Sequence, residues 1–412
     1  MEEYMFDSKK IRSDFPQLDR KIHGKRIVYL DSTATSLKPQ SVIDRENEYY
    51  TKYTANIYRG IYTTSEEATA EYERTRQLAA RFIGASLAEE IVFTRNTTES
   101  INLVMYGLSR TNLANQEFVA TIMEHHSNFV PWQQITTGFG LPFRIWNINA
   151  SGQLNLNELE KLITRKTKLL AVTAVSNVLG TINPIKEIVR AVKHLNSRCL
   201  VLVDAAQAVP HMPVSVREWG ADFVAFSSHK MLGPTGVGVL WGKRELLEEM
   251  KPFNYGGEMI AEVHVDHTVF KPSPHKFEAG TPHIAGVIGF GAALEYLERL
   301  GMEQVRAHER ELISYAIKTL DRVGGLTYLG PKGSRMRGAV FACTLQGVHS
   351  HDIAQILNED NVFIRAVNHC AQPLHEYLGI ASTARASCYI YTTKEDIDAL
   401  VEGLLKVKKI FA

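Results

Sequence analysis

Short apolar runs alternate with helical patterns between about residue 65 and residue 245. The apolar runs cover residues 91–93, 169–175, 200–203 and 223–226. A helical pattern over residues 66–82 precedes the first run, with the capping-box pair Thr64 and Glu67 at its start and Gly84 placed to end it. Because continuous apolar strands separated by helices are typical of buried parallel sheets, the pattern predicts a parallel sheet covered by helices on both faces.

The pattern changes near residue 291. A long amphipathic helix is followed by strand-like runs at 339–345 and 384–391, with helices between and after them. At 412 residues the chain is long for a single core, and it carries no repeat, low-complexity tract or Pro/Gly linker. We therefore predict two interleaved domains: a large domain over residues 25–290 and a small α+β domain formed by residues 1–24 and 291–412.

Composition narrows the class of protein. With 45% apolar residues, 22% charged residues and a formal charge of +1, the chain has the make-up of a globular protein and suggests neither nucleic acid nor a membrane as partner. The acidic start lacks the features of a signal peptide, and no apolar stretch is long enough to span a bilayer, so we expect a cytoplasmic enzyme. Four scattered cysteines without a C-x-x-C pair suggest neither a disulfide framework nor a zinc site.

Polar residues follow each of the four apolar runs. In parallel α/β sheets, ligands bind beyond the carboxyl ends of the strands, so these residues should converge on one site. They are Thr97 and Thr98 after the first run, Ser176 and Asn177 after the second, Asp204 and Gln207 after the third, and Ser227, His229 and Lys230 after the fourth. Taken singly, each set could merely cap a helix or lie on the surface. Taken together, they offer a phosphate cradle, an amide, an acid and an amine.

Lys230 and Asp204 point to pyridoxal phosphate. An amine on a strand-to-loop corner can bind the aldehyde of this cofactor, and a carboxylate on a neighbouring strand can keep its pyridine nitrogen protonated, so that the ring accepts electrons. The competing dinucleotide motif G-x-G-x-x-G and the Walker A loop are both missing from the sequence. The sequence therefore predicts an enzyme of amino-acid chemistry.

Further motifs run nearly from end to end of the chain. They are Tyr29-Leu30-Asp31-Ser32, Arg59-Gly60, Thr97-Thr98-Glu99, Glu124-His125-His126-Ser127-Asn128, Asp204-Ala205-Ala206-Gln207, Ser228-His229-Lys230, Phe277-Glu278-Ala279-Gly280-Thr281-Pro282 and His369-Cys370-Ala371. With these motifs the chain resembles the group II (SUF-type) cysteine desulfurases of the fold-type I, aminotransferase class V family. The resemblance implies an α/β fold of the PLP-dependent transferase type, with a mostly parallel seven-stranded sheet between helices and a smaller α+β domain.

The resemblance also implies roles for individual residues. For the cofactor, His125 stacks on the ring and helps to move protons, Asp204 pairs with the ring nitrogen, Gln207 bonds the phenolic oxygen, and Thr98, Ser227 and His229 hold the phosphate. Thr281 reaches the phosphate of the other subunit, which implies a homodimer. The substrate pocket is assigned to Ala34, Arg59, Asn177, Arg365 and Arg385.

Cys370 decides between the reactions that such a scaffold can run. A desulfurase needs a thiolate that attacks the sulfur of the substrate, and the polar loop 365–373 should leave Cys370 accessible. The remaining cysteines, Cys199, Cys343 and Cys388, fall in strand-like runs and read as packing residues. Arg385, on the strand face opposite Cys388, is the candidate for a fork on the substrate α-carboxylate, although a surface salt bridge is the alternative.

Several positions depart from the family pattern. Val367 and Asn368 replace a Gly-His pair before the cysteine, and a valine would be strained if that position required positive φ. Tyr58 and Tyr62 stand where histidines usually flank Arg59-Gly60. These changes fall around the expected substrate pocket and leave the cofactor residues untouched.

Three hypotheses follow. The first is a PLP-dependent desulfurase that converts L-cysteine to L-alanine, leaves a persulfide on Cys370 and supplies an acceptor protein for iron–sulfur cluster assembly or related sulfur transfer; L-selenocysteine could also serve as substrate. The second is a class V enzyme of different chemistry, such as an aminotransferase, epimerase or kynureninase-like hydrolase, for which Cys370 is incidental. The third is a scaffold without activity, which Lys230, Asp204 and Gln207 argue against.

Overall fold

Residues 6–411 are described by the computed structural model, and they form a seven-stranded sheet, a four-stranded sheet and three two-stranded sheets, with helices around them. The strands, in chain order, are β1 (Lys21–Ile22), β2 (Lys25–Arg26), β3 (Val28–Tyr29), β4 (Ile91–Thr94), β5 (Glu117–Thr121), β6 (Phe143–Trp146), β7 (Thr167–Thr173), β8 (Leu200–Asp204), β9 (Phe223–Ser227), β10 (Gly238–Gly242), β11 (Ile260–Val263), β12 (Thr268–Phe270), β13 (Leu326–Tyr328), β14 (Val340–Leu345), β15 (Val362–Phe363), β16 (Arg365–Val367) and β17 (Thr383–Ser387).

The helices are named in the same way. They are α1 (Ser8–Arg12), α2 (Gln40–Lys52), α3 (Thr63–Phe82), α4 (Thr97–Ser109), α5 (Val130–Phe139), α6 (Leu159–Leu162), α7 (Ile185–Leu195), α8 (Val216–Trp219), α9 (Arg244–Glu249), α10 (Ile284–Leu300), α11 (Met302–Leu320), α12 (Ser350–Glu359), α13 (Gln372–Tyr377) and α14 (Lys394–Ile410). In residues 6–411, no helix combines the length and the apolar character that crossing a bilayer requires.

The larger sheet has seven strands in the order β4-β10-β9-β8-β7-β5-β6. All of its pairings are parallel except those of β10, which runs antiparallel to both β4 and β9. Alternate residues of one strand enter different cores: Leu170 and Val172 of β7 pack on one face, whereas Leu169 and Ala171 pack on the other. The predicted α/β fold, with a mostly parallel seven-stranded sheet between helices, is therefore confirmed.

Helices cover both faces of this sheet. Buried side chains of α2, α3, α7 and α10 line the core on one face, and those of α4, α5 and α9 line the core on the other. Because every central strand is covered twice, its backbone and apolar side chains are excluded from water, and only the strand ends remain open. This arrangement leaves the carboxyl ends of the strands as the place for a ligand.

The smaller sheet is antiparallel, with the order β13-β14-β17-β16. Its core includes side chains from α11, α12 and α14, and Val28 and Leu30 join that core from the N-terminal part of the chain. β3 pairs in parallel with β15, and Asp31, two residues past the end of β3, lies beside Ser387 of β17. Residue 291, the predicted start of the second part of the small domain, lies inside α10; the domain boundaries stay a prediction.

Three local expectations were wrong. The helix predicted at 66–82 begins at Thr63, and its N-cap residue, Tyr62, makes no side-chain capping bond, so the capping box of Thr64 and Glu67 does not form. β7 ends at Thr173, two residues before the predicted end of its run, and β17 ends at Ser387, so that Cys388 lies just past the strand, although it is buried. Gly84, with φ of 66°, follows the end of α3 as predicted.

Candidate active site

A cavity of about 340 Å³ lies where β4, β8 and β9 end, and the loop after β16 closes one of its sides. The predicted site residues that line it are Ala34, Thr97, Thr98, His125, Asn177, Asp204, Gln207, Ser227, His229, Lys230, Arg365, Cys370 and Arg385. The convergence expected from the strand ends is therefore present. Arg59, Thr281 and Ser176 do not line the cavity; Ser176 is buried, and its Oγ accepts the backbone N–H of Leu179 at 3.1 Å.

One end of the cavity is formed by the start of α4. The backbone N–H of Thr97 donates to Ser227 Oγ at 2.8 Å, and the two hydroxyl oxygens are 2.6 Å apart. The Thr98 hydroxyl is 2.6 Å from Ser127 Oγ, and Asn96 caps the helix by accepting from the N–H of Glu99. Hydroxyls and free N–H groups at a helix N-terminus suit a phosphate. The sequence did not assign a role of their own to Asn96 and Ser127.

A second part of the cavity wall is formed by the carboxyl group of Asp204 and the amine of Lys230. Asp204 ends β8 and accepts the N–H of Ala206 at 2.9 Å, while Lys230 ends the 3₁₀ turn that directly follows β9. Burial raises the pKa of Asp204, an effect that the nearby Lys230 opposes; burial likewise lowers the pKa of Lys230, against the pull of Asp204. A buried lysine that loses its proton readily is the nucleophile that an aldehyde requires.

Gln207 provides a test of what the cavity can hold. Its Nε2 donates to the carbonyl of Thr33 at 2.8 Å, whereas its Oε1 is buried and has no partner in the structure. The hydroxyl of Thr33 is likewise buried without a hydrogen-bond partner among the described residues. Because buried polar atoms are almost always hydrogen-bonded, these orphaned atoms at the cavity wall indicate a polar ligand. The phenolic hydroxyl of pyridoxal phosphate fits them, because it can donate to the amide oxygen of Gln207 and accept from the hydroxyl of Thr33.

His125 stands at the start of the 3₁₀ turn His126–Asn128. Its Nδ1 accepts the backbone N–H of Ser127 at 3.1 Å. Burial, reinforced by the charge of Lys230, lowers the pKa of His125 to about 3, so the ring is neutral at neutral pH. A neutral flat ring is suited to stacking on a planar cofactor.

Glu124, beside this histidine, was not singled out from the sequence. It is buried and accepts from the side chains of Thr121 and Asn128 and from the backbone N–H of Thr173, so it ties β5 to β7 beneath the cavity. Burial raises the pKa of Glu124 to about 8. Its bond to Thr173 is visible only in the fold, because Thr173 lies 49 residues away along the chain.

Two arginines form a cationic wall around one carboxylate. Arg385 is buried on β17, where Nη1 donates to the carbonyl of Asn177 at 3.1 Å and Nη2 donates to Asp31 at 3.3 Å. Arg365, its register partner on β16, donates through Nε and Nη2 to the same Asp31 at 3.1 and 3.0 Å. Burial lowers the pKa of Arg385 to about 10, so it stays charged at neutral pH. Its Nε is buried without a partner in the structure.

Cys370 is exposed, whereas Cys199, Cys343 and Cys388 are buried. Burial raises the pKa of Cys199 and of Cys343 to about 12 and that of Cys388 further, so these three remain thiols. The sequence had raised the prospect of strain at Val367; that residue lies in β16 and lacks positive φ, and the strained positions are His369 (φ 52°) and Cys370 (φ 54°).

Arg59 and Thr281 lie away from this cavity. Arg59 is 61% exposed and pairs with Glu258, with Nε 3.0 Å from Oε1. Thr281 is exposed and lines a separate cavity. Tyr58 donates to Glu73, and Tyr62 is exposed, so neither tyrosine lines the cavity around Lys230. The roles of Arg59 and Thr281 stay predictions.

Comparison with known proteins places this site in a family. The model of the aminotransferase class-V family matches residues 28–400. A probable cysteine desulfurase of Halalkalibacterium halodurans is 47% identical over 403 residues, covering 98% of each chain, and one of Streptomyces coelicolor is 46% identical over 413 residues, covering 99% of this chain and 98% of its own.

Solved structures give the same result. The apo cysteine desulfurase of Thermococcus onnurineus superposes with a TM-score of 0.92 at 37% identity and covers 98% of both chains. The cysteine desulfurase CsdA of Escherichia coli superposes with a TM-score of 0.90 at 36% identity, over 99% of this chain and all of its own.

The fold and the cradle around Lys230 and Asp204 together define a pyridoxal phosphate enzyme of fold type I. Within that class, the chain belongs to the aminotransferase class-V family, as its sequence predicted.

Proposed function

We propose that this chain is a pyridoxal phosphate-dependent cysteine desulfurase, which converts L-cysteine to L-alanine and retains the sulfur as a persulfide on Cys370. One observation carries the proposal: the single exposed thiol of the chain lines the same cavity as Lys230 and Arg385. The names of the relatives support it. A class V enzyme of different chemistry is not favoured, because Cys370 would then stand at the cavity wall without a use.

Pyridoxal 5′-phosphate is the cofactor, and when bound it draws electrons from the α-carbon of the amino acid, which no side chain here can do. Thr97, Thr98, Ser227 and His229 would hold its phosphate. Asp204 would hold its ring nitrogen, Gln207 its phenolic oxygen and His125 its ring face. The orphaned oxygen of Gln207 is the observation in favour of this assignment.

The protein residues divide the remaining work. Lys230 Nζ would hold the cofactor covalently in the resting enzyme, and its lowered pKa suits it to take the proton from the substrate α-carbon. Arg385 binds the α-carboxylate as a planar fork, and Asn177 holds that fork in place. The proton that Lys230 has taken is the source for the carbon that becomes the methyl group of alanine, and His125, neutral at working pH, would relay it.

Cys370 Sγ, as a thiolate, attacks the sulfur of the substrate. The carbon–sulfur bond of cysteine breaks, the sulfur–sulfur bond of the persulfide forms, and the carbon released takes a proton. One cysteine and one enzyme thiol therefore give one alanine and one persulfide, so the sulfur is oxidised as the carbon is reduced and no external oxidant is needed.

The test is incubation of the purified holoenzyme with L-cysteine and a reducing thiol, with alanine and sulfide measured separately. Equimolar production is expected. Cys370→Ser should abolish sulfide release while the yellow cofactor absorbance stays, and Cys199→Ala, at a buried cysteine outside the cavity, should behave as wild type. Retained turnover in Cys370→Ser would favour another class V reaction.

The proposal includes a homodimer in which Thr281 of one subunit reaches the phosphate bound by the other. Thr281 is exposed in the single chain, and Ile61, 95% exposed, and Tyr62, 55% exposed, present apolar surface beside Arg59. Such side chains are typical of covered surfaces. The mass in solution should be twice that of the 46.2 kDa chain, and a monomeric holoenzyme would overturn this part.

The persulfide requires an acceptor, and we include in the proposal a sulfur-acceptor protein, in the cytoplasm, that serves iron–sulfur cluster assembly or related sulfur transfer. The exposure of Cys370 supports transfer to a second protein, because a buried persulfide could not be reached. L-Selenocysteine is a further candidate substrate, since its carbon–selenium bond is weaker. Transfer of labelled sulfur from Cys370 to another protein would test this part, and hydrolysis alone would contradict it.

A further inference from the structure

We propose that His126 is a positioning residue that holds the nucleophile loop, residues 368–372, so that Cys370 stays at the wall of the cavity; this inference rests on the proposed function. His126 directly follows the cofactor-stacking His125 and does not line the cavity. The proposed mechanism gives His126 no role, although this residue contacts the nucleophile loop.

The loop needs holding because its backbone is strained. His369 and Cys370 both adopt the left-handed conformation, with φ of 52° and 54°. Residues with a Cβ rarely occupy this region, and two in succession persist only where surrounding groups fix them. The nucleophile therefore depends on contacts from outside its own loop.

The side before the cysteine is fixed by residues already in the site. Asn177 Nδ2 donates to the carbonyl of His369 at 2.8 Å, and His369 Nε2 lies 2.9 Å from the hydroxyl of Thr383. These contacts hold His369, which is buried. They do not fix the peptide that follows Cys370.

After the cysteine, Ala371 is held by Asn368 and by His375 of α13, and His126 bonds the two peptide groups on either side of it. The backbone N–H of His126 donates to the carbonyl of Cys370 at 2.6 Å. Its Nε2 accepts the backbone N–H of Gln372 at 3.1 Å. One residue therefore grips the loop at two points, on either side of Ala371.

The alternative is a purely structural role, in which His126 only caps α13, whose first N–H belongs to Gln372. Capping does not account for the second bond, which goes to the nucleophile residue itself. To accept from Gln372, Nε2 must be unprotonated, and partial burial lowers the pKa of His126 in the direction that keeps it so. Because His125 and His126 share a peptide bond, the ring-stacking segment and the nucleophile loop are mechanically joined.

The experiment compares His126→Leu, which removes the acceptor, with His126→Gln, whose amide oxygen can still accept from Gln372. In the leucine variant we expect the kcat for alanine formation to fall roughly five- to tenfold, the effect of one lost hydrogen bond. The KM for L-cysteine should not change, because Arg385 is untouched. The glutamine variant should recover most of the rate.

Alkylation with iodoacetamide supplies a readout that general damage would not produce. Cys370 is the exposed thiol, so a single modification reports on the loop. In His126→Leu the freed loop should be alkylated faster while desulfuration slows, and His126→Gln should resemble wild type. His194→Leu, at an exposed histidine on α7, is the matched control and should change neither rate.

Leucine and wild-type proteins with equal turnover and equal alkylation rates would overturn the inference. A fall in both rates together with loss of the cofactor absorbance would also overturn it, since the role would then be structural. If the wild type forms no alanine, the proposed function fails instead. Alkylation needs no turnover, so its rate still tests whether His126 holds the nucleophile loop.

Discussion

Asp31 receives two guanidinium groups at the wall of the cavity, and their burial differs. The side chain of Arg385 is 3% exposed, whereas that of Arg365 is 48% exposed. A charge-assisted bond is worth more where water does not compete for the groups that make it. At the scale of single residues, we therefore expect Arg385 to anchor the substrate carboxylate and Arg365 to contribute mainly to the field around it.

This difference predicts an unequal result for two matched substitutions. Arg385→Lys loses the planar fork, and we expect the KM for L-cysteine to rise about tenfold or more, as for loss of one hydrogen bond to a charged group. Arg365→Lys should raise the KM only about twofold, because exposed pairs contribute little. Initial rates of alanine formation across a range of cysteine concentrations measure both. A larger effect from Arg365→Lys would contradict the assignment.

Among the secondary-structure elements, the central strands and the residues that follow them were predictable. β7, β8 and β9 are buried on both faces, so their sequences read as continuous apolar runs, and Asp204 and Lys230 could be found by looking past the ends of such runs. The resemblance to a family then supplied the roles of residues such as Thr281, which no spacing in the chain would reveal.

Other elements could not be foreseen because tertiary contacts determine them. β10 enters the sheet antiparallel between β4 and β9, a pairing that no local pattern encodes. The left-handed backbone at Cys370 is flanked by hydrogen bonds from Asn177 and His126, which lie far from it along the chain. The capping box failed because α3 starts earlier than its hydrophobic pattern suggests.

The start of α4 supports a prediction about the cofactor. The hydroxyl of Thr98 stands beside Ser127 at the helix N-terminus, where partial positive charge favours an anion. Thr98→Val keeps the shape and removes the hydroxyl, and we expect affinity for pyridoxal phosphate to fall about tenfold. Titration of the cofactor-free protein with pyridoxal phosphate, followed by absorbance, measures this affinity.

Ser109 provides the control on the same helix. It lies at the C-terminal end of α4, where its hydroxyl donates to the carbonyl of Tyr106. Ser109→Ala should leave cofactor affinity unchanged. Equal loss in both variants would show that the helix as a whole, and not its N-terminal hydroxyl, governs binding.

At the scale of the whole molecule, the site is formed jointly by distant parts of the chain that belong to the two large sheets and their loops. Asn177, from the larger sheet, contacts both Arg385 and His369, which belong to the smaller sheet and its adjoining loop. Asp31 reaches the same wall from the strand that pairs with β15. Because neither sheet alone contains a complete cavity, anything that loosens their packing should reduce activity before either sheet unfolds.

Buried histidines make this joint sensitive to acid. Burial lowers the pKa of His125 and of His229 to about 3 and that of His369 to about 2. In the unfolded chain the same groups titrate near their ordinary value of about 6.5. Below that pH the unfolded state takes up protons that the folded state refuses, so stability is lost as the pH falls; above it, these three groups add no pH dependence.

The expected size of this effect is measurable. Each such histidine lowers the free energy of unfolding by up to about 1.4 kcal/mol per pH unit between roughly pH 6 and pH 3. The apparent Tm of the holoenzyme should therefore be level from pH 8 to pH 7 and fall below pH 6.5. His369→Asn removes one titrating group, so its Tm should fall less than that of the wild type over the same interval. A Tm that rises on acidification, or an unchanged slope in this variant, would show that these histidines are protonated in the folded protein.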